Sequence, residues 1–307
     1  MATQRKRKPQ TKFEVNLVSL VERFQSEDAC RLYLEDLRWP DGATCPRCQS
    51  KSVSRIDTRD QLDCNSCRYR FSVLSGTIFH DTHLPLWKWF LATYMMMESK
   101  KGISALQLKR TLNVAYKTAW YLCHRIREAM SDPNAPLLSG KIEVDETFIG
   151  GKVRGSGRGY RGNKTVVAGV VQRGGQIRLQ VIQGTDRETL HAVIKKHASE
   201  DTAVIFTDEW PAYKGIADEH TRHETVNHRM EEWVRGDAHT QTVENVWSLL
   251  KRAIIGSYHQ VSAKHLDRYL EELEWRFNNR DNPHLFRETV RKLMNSGNLE
   301  YKQLTAS

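Results

Sequence analysis

The sequence predicts a multidomain protein in which a small metal-bound ribbon and a helical segment precede a larger α/β domain. Three observations indicate this order. Two CxxC pairs lie within residues 45–67, apolar helical patterns occupy residues 84–130, and alternating apolar strands begin near Lys141. The length of 307 residues is enough for two or three domains. We expect a basic arm and helical segment at 1–39, the ribbon at 40–75, the helical domain at 76–135, the α/β domain at 136–282, and a C-terminal helix and tail at 283–307.

The charge distribution favours a polyanionic partner. The chain has 47 Lys and Arg against 37 Asp and Glu, a formal net charge of +10. Residues 1–12 and 150–164 contain cations and no acid, and residues 99–130 contain seven Lys and Arg against Glu128 alone. Three separate basic clusters indicate a long contact surface rather than one small site.

Nothing in the sequence predicts a membrane segment. The apolar stretches are all shorter than the ~18 residues that a membrane span requires. The N-terminus is basic and lacks the apolar segment of a secretory signal. We therefore expect no membrane association and a location in the bacterial cytoplasm or nucleoid.

Four cysteines predict a structural zinc site. Cys45, Cys48, Cys64 and Cys67 form C-x2-C-x15-C-x2-C, a spacing typical of zinc ribbons. Tetrahedral Zn²⁺ takes four thiolates, and each CxxC turn supplies two of them. The alternative, a pair of disulfides, requires an oxidising compartment. We predict one structural Zn²⁺ bound by all four thiolates, within three short strands.

The helical segment resembles a helix-turn-helix. An apolar helix is predicted over 84–99, Ser104 caps the next helix through Arg110, and a short turn leads to a helix over 115–130. The second helix is rich in cations and aromatics, which suits DNA contact. The alternative is an ordinary helical hairpin with a solvated basic face. The residues predicted to face outward and bind DNA are Lys117, Thr118, Tyr121 and Arg125.

The C-terminal two-thirds predict an RNase H-like order of elements. Three strands are followed by a helix, a fourth strand, a short helix, a fifth strand and a long helix that begins near Thr242. In that fold the first and fourth strands lie side by side. The predicted strands cover 141–150, 165–173, 177–184, 203–210 and 223–228, and the first helix covers 186–198.

Three acids on these elements predict a two-metal site. Asp145 lies in the first strand, Asp208 ends the fourth, and Glu244 lies in the long helix. Mg²⁺ takes oxygen ligands, and two ions ~3.5–4 Å apart can bind the attacking and leaving oxygens of an in-line displacement. That chemistry cuts or joins nucleic acid. The alternative is that they are solvated surface acids. The nearest rivals for the same roles are Glu143, Glu146 and Glu209.

Several blocks of sequence resemble one family over nearly the whole chain. The matching stretches are RWPDGATCPRCQS, YRFSVLSGTIFHDTHLPLWKWFLA, VDETFIGGK, TDEWPAY and HTQTVENVWSLLKRAIIGSYHQVSAKHLDRYLEELEWRFNNR. The chain resembles insertion-sequence transposases that carry an N-terminal zinc ribbon and a DDE catalytic domain, the ISXO-type group. The resemblance implies that Asp145, Asp208 and Glu244 are the DDE residues. Some members have Asn near the third position, so Asn245 is the alternative to Glu244.

Further residues near these acids are predicted to act on DNA. Lys251 lies seven residues after Glu244, close to two helical turns, and could bind a phosphate; the alternative is a solvated cation. His259 matches a family block and is predicted to contact the scissile phosphate or assist proton transfer. A loop with six glycines is predicted to order on DNA, or is simply a flexible insertion. Its DNA-binding candidates are Lys152, Arg154, Arg158 and Arg161.

The resemblance implies a DNA transposase. The ribbon and the helical domain would bind the terminal inverted repeats of the element. The catalytic domain would use two Mg²⁺ or Mn²⁺ to activate water for cleavage and then a 3′-hydroxyl for strand transfer. Its partners would be the double-stranded DNA of transposon ends and target, bound by a homodimer or larger assembly. The alternatives are a non-catalytic zinc-ribbon regulator and an RNase H-like nuclease that hydrolyses without joining.

Overall fold

The computed structural model describes residues 14–151, 162, 164–217, 219–226 and 239–306. The chain divides into two compact units. The first combines residues up to Met130 with those from Asn279 onward, and the second comprises Ser131–Asn278. The C-terminal helices therefore belong to the same unit as the ribbon and the helical segment, which the sequence predicts as separate parts.

The secondary structure agrees closely with the predicted elements. The helices are α1 (Leu17–Arg23), α2 (Glu27–Arg38), α3 (Leu86–Glu98), α4 (Ala105–Leu112), α5 (Tyr116–Met130), α6 (Arg187–His197), α7 (Gln241–Ala253), α8 (Leu266–Asn278), α9 (Leu285–Asn295) and α10 (Tyr301–Thr305). The strands are β1 (Val53–Ile56), β2 (Gln61–Cys64), β3 (Arg70–Phe71), β4 (Leu138–Ile149), β5 (Thr165–Gln172), β6 (Ile177–Ile182), β7 (Ala198–Asp208) and β8 (Arg222–Val226).

The ribbon is a three-stranded antiparallel sheet in the order β1-β2-β3. Its core is small, with Leu62 and Phe71 buried beside two of the cysteines and Trp39 packed against them. So small a core cannot supply much folding energy, and bound metal would supply the remainder.

An aromatic cluster joins the two ends of the chain within the first unit. Phe24 and Phe90 meet edge to face with ring centroids 4.7 Å apart, and Phe286 on α9 lies 5.8 Å from Phe90. Aromatic pairs at these distances contribute beyond the area they bury. The contact explains why α9 packs with the N-terminal helices rather than continuing the second unit.

The predicted helical pair is present in α4 and α5. The Ser104 side chain accepts a hydrogen bond from the Gln107 amide at 3.1 Å and caps α4, as predicted. Asn113 ends α4 in the left-handed conformation, with φ of 49°. Asn tolerates that region better than most residues, so the turn needs no glycine.

The second unit is built on a mixed five-stranded sheet in the order β6-β5-β4-β7-β8. β4 pairs antiparallel with β5 and parallel with β7, so the first and fourth strands of this unit are neighbours, as the sequence predicts. Side chains alternate along β4. Ile142 and Val144 pack towards α6, and Ile149 packs towards α7 and α8. The sheet is therefore covered on both faces.

Side chains of α8 cover the edge strand β6. The amides of Ile177 and Val181 donate to Asn278 Oδ1 at 2.8 Å and to Asp267 Oδ1 at 3.3 Å. Between them the Leu179 amide donates to Glu274 Oε1. Burial raises the pKa of Glu274 to about 7. These contacts satisfy three of the outward-facing amides of an edge strand, which would otherwise be open to pairing.

Within the part of the chain that the structure describes, no helix combines the length and apolar character needed to cross a membrane.

Candidate metal centres and DNA-contacting surfaces

The four predicted zinc ligands lie together. The sulfur atoms of Cys45, Cys48, Cys64 and Cys67 are all within 4.8 Å of one another. Cys45 Sγ is 3.7 Å from Cys67 Sγ, and Cys48 Sγ is 3.4 Å from Cys64 Sγ. Four thiols at these distances, two from each turn, suit a tetrahedral Zn²⁺. The cluster supports a structural zinc in the ribbon.

The two cysteine turns have the same backbone geometry. Gln49 and Arg68 each follow the second cysteine of a pair and adopt φ of 61° and 58°. Their amides donate to the carbonyls of Cys45 and Cys64, both at 2.9 Å. The backbone amide of Cys67 also donates to Cys64 Sγ at 3.5 Å, and chiefly for this reason the pKa of Cys64 falls to about 6.

The structure places the three predicted carboxylates near one another. β4 and β7 run side by side with Glu143 opposite Phe206, so Asp145 and Asp208, two residues further along each strand, are neighbours. Burial raises the pKa of Asp145, the negative charges of Asp208 and Glu244 add to this, and the pKa reaches about 6. Asp208 and Glu244 are therefore close enough to repel the Asp145 carboxylate, although they lie on a different strand and on a helix.

Helix α7 is fixed against the Asp145 side of the sheet. Trp247 Nε1 donates to Asp145 Oδ2 at 2.7 Å. Gly169 pairs with Asp145 across β4 and β5, and a Cβ there would lie 2.6 Å from Trp247 Cη2. The glycine makes room for the indole ring. This contact was not among the sequence-based predictions, although a glycine inside the strand TVVAGVVQ is a known sign of close backbone approach.

Glu143, a rival of Asp145 on the same face, has a different environment. Its side chain is fully buried, and Arg173 Nε donates to it at 2.8 Å. Thr242 donates to it through its amide at 2.8 Å and its hydroxyl at 2.9 Å, and the Val243 amide donates at 3.0 Å. His239 Nδ1 lies 3.2 Å from the same carboxylate. Protein donors thus occupy Glu143, which makes it a poor metal ligand.

The other two rivals are separated from the three carboxylates. Glu146 lies one residue on from Asp145, on the opposite face, where it accepts a hydrogen bond from the Tyr213 hydroxyl at 2.6 Å. Glu209 is exposed. The alternation of the strand therefore distinguishes Asp145 from Glu146.

The rotation of α7 favours Glu244 over Asn245 as the third ligand. At about 100° per residue, Glu244 lies about 60° from Trp247 around the helix, and Asn245 lies about 160° from it. Trp247 is the side chain that reaches Asp145. The Thr240 hydroxyl donates to Glu244 Oε1 at 3.2 Å and restrains it.

Lys251 and His259 lie further along the same helical run. Lys251 is exposed and lies on the same side as Glu244, about 10 Å beyond it. A π-helical turn over Ile254–Tyr258 continues α7 up to His259, whose Nδ1 lies 3.2 Å from the Ile255 carbonyl. The catalytic role of His259 stays a prediction.

Comparison with known proteins identifies two domains in this chain. The ISXO2-like transposase domain matches residues 137–278, and the transposase zinc-ribbon domain matches residues 25–70. The chain belongs to the ISXO2-like transposase family. An uncharacterized protein in transposable element ISH50 of Halobacterium salinarum is 28% identical over 275 residues, which cover 83% of this chain and 92% of that protein. An uncharacterized transposase-like protein of Haemophilus influenzae is 25% identical over 99 residues, 32% of this chain and 78% of that protein.

Solved structures give a weaker likeness. The pre-cleavage Mos1 transpososome is 11% identical with a TM-score of 0.28, covering 69% of this chain and 79% of that chain. The Mos1 paired-end complex with the left transposon end is 10% identical with a TM-score of 0.30, covering 68% and 78%. TM-scores of this size do not establish a common fold.

One of the DNA-binding residues predicted on α5 of this transposase is not on the surface. Arg125 is buried and donates to the His80 carbonyl and to Asn298 Oδ1, both at 3.2 Å. Its guanidinium lies 4.9 Å from the centre of the Trp89 ring, and burial lowers its pKa. The prediction that Arg125 faces outward is wrong, because the segment before α10 returns to cover this side of α5.

The remaining α5 candidates differ in exposure. Tyr121 is half-buried, and its hydroxyl donates to the Leu299 carbonyl. Thr118 is half-buried, whereas Lys117 is exposed with its ammonium 4.2 Å from the centre of the Tyr301 ring. The first turn of α5 is thus the accessible part. The candidates Lys152, Arg154, Arg158 and Arg161 lie outside the described residues.

Proposed function

We propose that the chain is a DNA transposase with an RNase H-like catalytic domain in its second unit. The observation that carries the proposal is the convergence of Asp145, Asp208 and Glu244 from β4, β7 and α7. The strand order, with three antiparallel strands before a parallel crossover, supports the RNase H-like assignment. Membership of the transposase family supports the reaction class.

The donor set fits two Mg²⁺ or Mn²⁺ ions. All three ligands are carboxylates, the oxygen donors that these hard cations prefer. Burial, and after it repulsion by the other two carboxylates, raises the pKa of Asp145, and a cation bound between the three would offset both effects. When bound, the metal pair supplies the electrophilic activation for in-line displacement at phosphorus.

The surrounding residues hold the carboxylates ready for this role. Trp247 orients Asp145, and the Trp210 amide donates to Asp208 Oδ1 at 3.0 Å. Thr240 restrains Glu244. Hydrogen bonds that metal ligands receive from other residues fix the orientation of the ligands, and their loss typically lowers metal affinity or activity 10–100-fold.

DNA binding is assigned to the first unit. Lys109 and Arg110 at the end of α4 and Lys117 at the start of α5 are exposed, with Tyr116 between them. In a helix-turn-helix the N-terminal residues of the second helix meet the base edges, and nearby cations meet phosphates. Such binding weakens steeply with salt because counterions are released. Lys251 would bind a phosphate beside the carboxylates.

The proposal implies a particular assembly. Two transposon ends have to be held together for joining, so a dimer or larger complex on double-stranded DNA is expected. We expect the protein to act in the bacterial cytoplasm or nucleoid, where its DNA lies.

The test uses the zinc-loaded full-length protein, end-bearing DNA and Mg²⁺. Asp208→Asn should retain end binding and lose both strand cleavage and strand transfer. Glu209→Gln, the exposed neighbouring acid, is the matched control and should retain both reactions. Cleavage without joining by the unaltered protein would favour the nuclease alternative, and end binding with neither reaction would favour the non-catalytic regulator. An active Asp208→Asn would contradict the carboxylate site.

A further inference from the structure

Helix α7 lacks a side-chain cap of its own. Thr240 occupies the N-cap position, but its hydroxyl donates to Glu244 rather than capping the amides of the first turn. The amides of Thr242 and Val243 instead donate to Glu143, which lies on strand β4. The cap is therefore supplied by the strand that also carries Asp145.

We propose that Glu143 is a positioning residue that holds the N-terminus of α7 on β4 and thereby sets Glu244 opposite Asp145. The inference rests on the proposed function, since it assigns Glu244 to the metal site. It gives Glu143 a role that the sequence analysis did not consider, because there it is only a rival ligand.

Hydrogen-bond capacity excludes Glu143 from the metal site. An ionised carboxylate has about four acceptor positions. Arg173 Nε, the Thr242 amide, the Thr242 hydroxyl and the Val243 amide donate to its two oxygens. These four donors use the acceptor positions that a cation would need.

The charge of Glu143 is balanced within the fold. A fully buried carboxylate is strongly destabilising unless it is paired and hydrogen-bonded. Arg173 supplies the pairing charge, and its second nitrogen donates to the His239 carbonyl at 2.7 Å. The guanidinium also lies 3.8 Å from the centre of the Phe206 ring, next to Asp208 in β7. The positive end of the α7 dipole adds to this stabilisation.

Two contacts attach α7 to β4 in register. Glu143 and Asp145 are two residues apart on one face of the strand, about 7 Å. Their partners on α7, Val243 and Trp247, are four residues apart, about 6 Å along the helix. With both contacts the helix can neither rotate nor slide. Without the Glu143 contact its first turn can pivot about Trp247 and carry Glu244 away from Asp145.

The first measurement is hydrogen exchange in the absence of Mg²⁺ and Mn²⁺, so that it does not depend on catalytic activity. In zinc-loaded protein without Mg²⁺ or Mn²⁺, Glu143→Gln should speed hydrogen exchange of the amides of residues 241–247. Exchange in the ribbon should be unchanged. Glu209→Gln is the control and should leave exchange in α7 as it is.

Mn²⁺ titration then separates positioning from simple destabilisation. Glu143→Gln should weaken Mn²⁺ binding by about 10–100-fold while the number of ions per chain at saturation stays the same. In a Glu244→Gln background the same substitution should weaken binding no further, because Glu143 acts through Glu244. Thr242→Val removes only the hydroxyl donor to Glu143, so it should speed hydrogen exchange in α7 and weaken Mn²⁺ binding to a smaller extent. This variant replaces Glu143→Gln in the test if Glu143→Gln fails to fold.

Several results would overturn the proposal. The first is hydrogen exchange in α7 that Glu143→Gln leaves unchanged. The second is a loss of Mn²⁺ affinity in Glu143→Gln/Glu244→Gln that equals the sum of the two single losses. The third is one fewer Mn²⁺ ion bound at saturation by Glu143→Gln, as expected of a ligand variant. Failure of the proposed function is distinguishable. If Glu244→Gln leaves Mn²⁺ binding intact, the metal assignment of Glu244 is wrong, whereas exchange in α7 still reports on Glu143.

Discussion

The cysteine cluster of the ribbon and the carboxylate cluster of the second unit both gather metal-type ligands, but they are built in different ways. The cysteines come from two short turns. Each turn is closed by a backbone hydrogen bond, donated by the amide of Gln49 or Arg68, next to the ligands themselves. The carboxylates come from two strands and a helix, so their geometry depends on the whole domain. The second site therefore needs supporting contacts from Trp247 and Glu143, and the first does not.

The electrostatics of the two clusters also differ. The backbone amide of Cys67 lowers the pKa of Cys64 to about 6, which favours the thiolate before metal arrives. Burial and neighbouring acids raise the pKa of Asp145 to about 6, which disfavours its charged form until a cation is present. A local backbone donor thus favours the charged form of Cys64, whereas burial and like charges disfavour the charged form of Asp145, which a bound cation would stabilise.

The largest effect should follow loss of one ribbon ligand. Cys64→Ser should reduce bound zinc from about one ion per chain to near zero and unfold the ribbon, because metal supplies much of its folding energy. Metal analysis and hydrogen exchange over residues 40–72 measure this. Cys123→Ser, a buried cysteine outside the cluster, is the control and should keep its zinc. Full zinc retention in Cys64→Ser would refute the four-cysteine site.

Gly169→Ala tests the long-range support of the acidic site. The new methyl group would lie 2.6 Å from Trp247 Cη2, so the indole has to move. We expect a loss of about 1–3 kcal/mol in the free energy of unfolding, typical of overpacking, and weaker Mn²⁺ binding. Zinc content should not change. Denaturant unfolding that matches the unaltered protein would contradict the close contact.

Trp247→Phe removes the hydrogen bond together with part of the indole packing. An aromatic ring is retained, but the N–H donor to Asp145 Oδ2 is lost, and that bond lowers the pKa of Asp145. We expect the Mn²⁺ affinity to fall about tenfold, as is common for partners that orient metal ligands. Calorimetric titration measures the affinity. An affinity within twofold of that of the unaltered protein would show that Trp247 does not orient Asp145 for metal binding.

The sequence predicts the local parts of this molecule well. Strand alternation and helix caps predict the helices and strands, and the order of these elements predicts that β4 and β7 are neighbours. The cysteine spacing predicts the ribbon. It cannot rank Glu143 and Asp145, because both lie on one strand face and only the position of the α7 N-terminus distinguishes them. Burial of Arg125 depends on Asn298, far away in the chain. No residue pattern in the sequence predicts the π-helical turn that precedes His259.

A smaller effect should come from the edge of the sheet, far from either cluster. The pKa of Glu274 in the folded chain is about 7, above its ordinary value of 4.5. The folded state therefore holds a proton that the unfolded state has lost, so stability falls as the pH rises from about 4.5 to 7. Glu274→Gln should flatten that pH dependence by roughly 1–2 kcal/mol. Denaturant unfolding of both proteins across this pH range measures the effect. If the free energy of unfolding of Glu274→Gln depends on pH as steeply as that of the unaltered protein, Glu274 titrates normally.

The most direct test of the central claim, that three carboxylates from distant parts of the chain form one metal site, is Mn²⁺ titration of the zinc-loaded protein. The account predicts two ions per chain, with binding lost or greatly weakened in Asp145→Asn, Asp208→Asn and Glu244→Gln. Asn245→Ala, the adjacent position on α7, should bind like the unaltered protein. Normal binding in Asp145→Asn and Asp208→Asn would contradict the account, and normal binding in Glu244→Gln beside loss in Asn245→Ala would contradict the assignment of the third ligand.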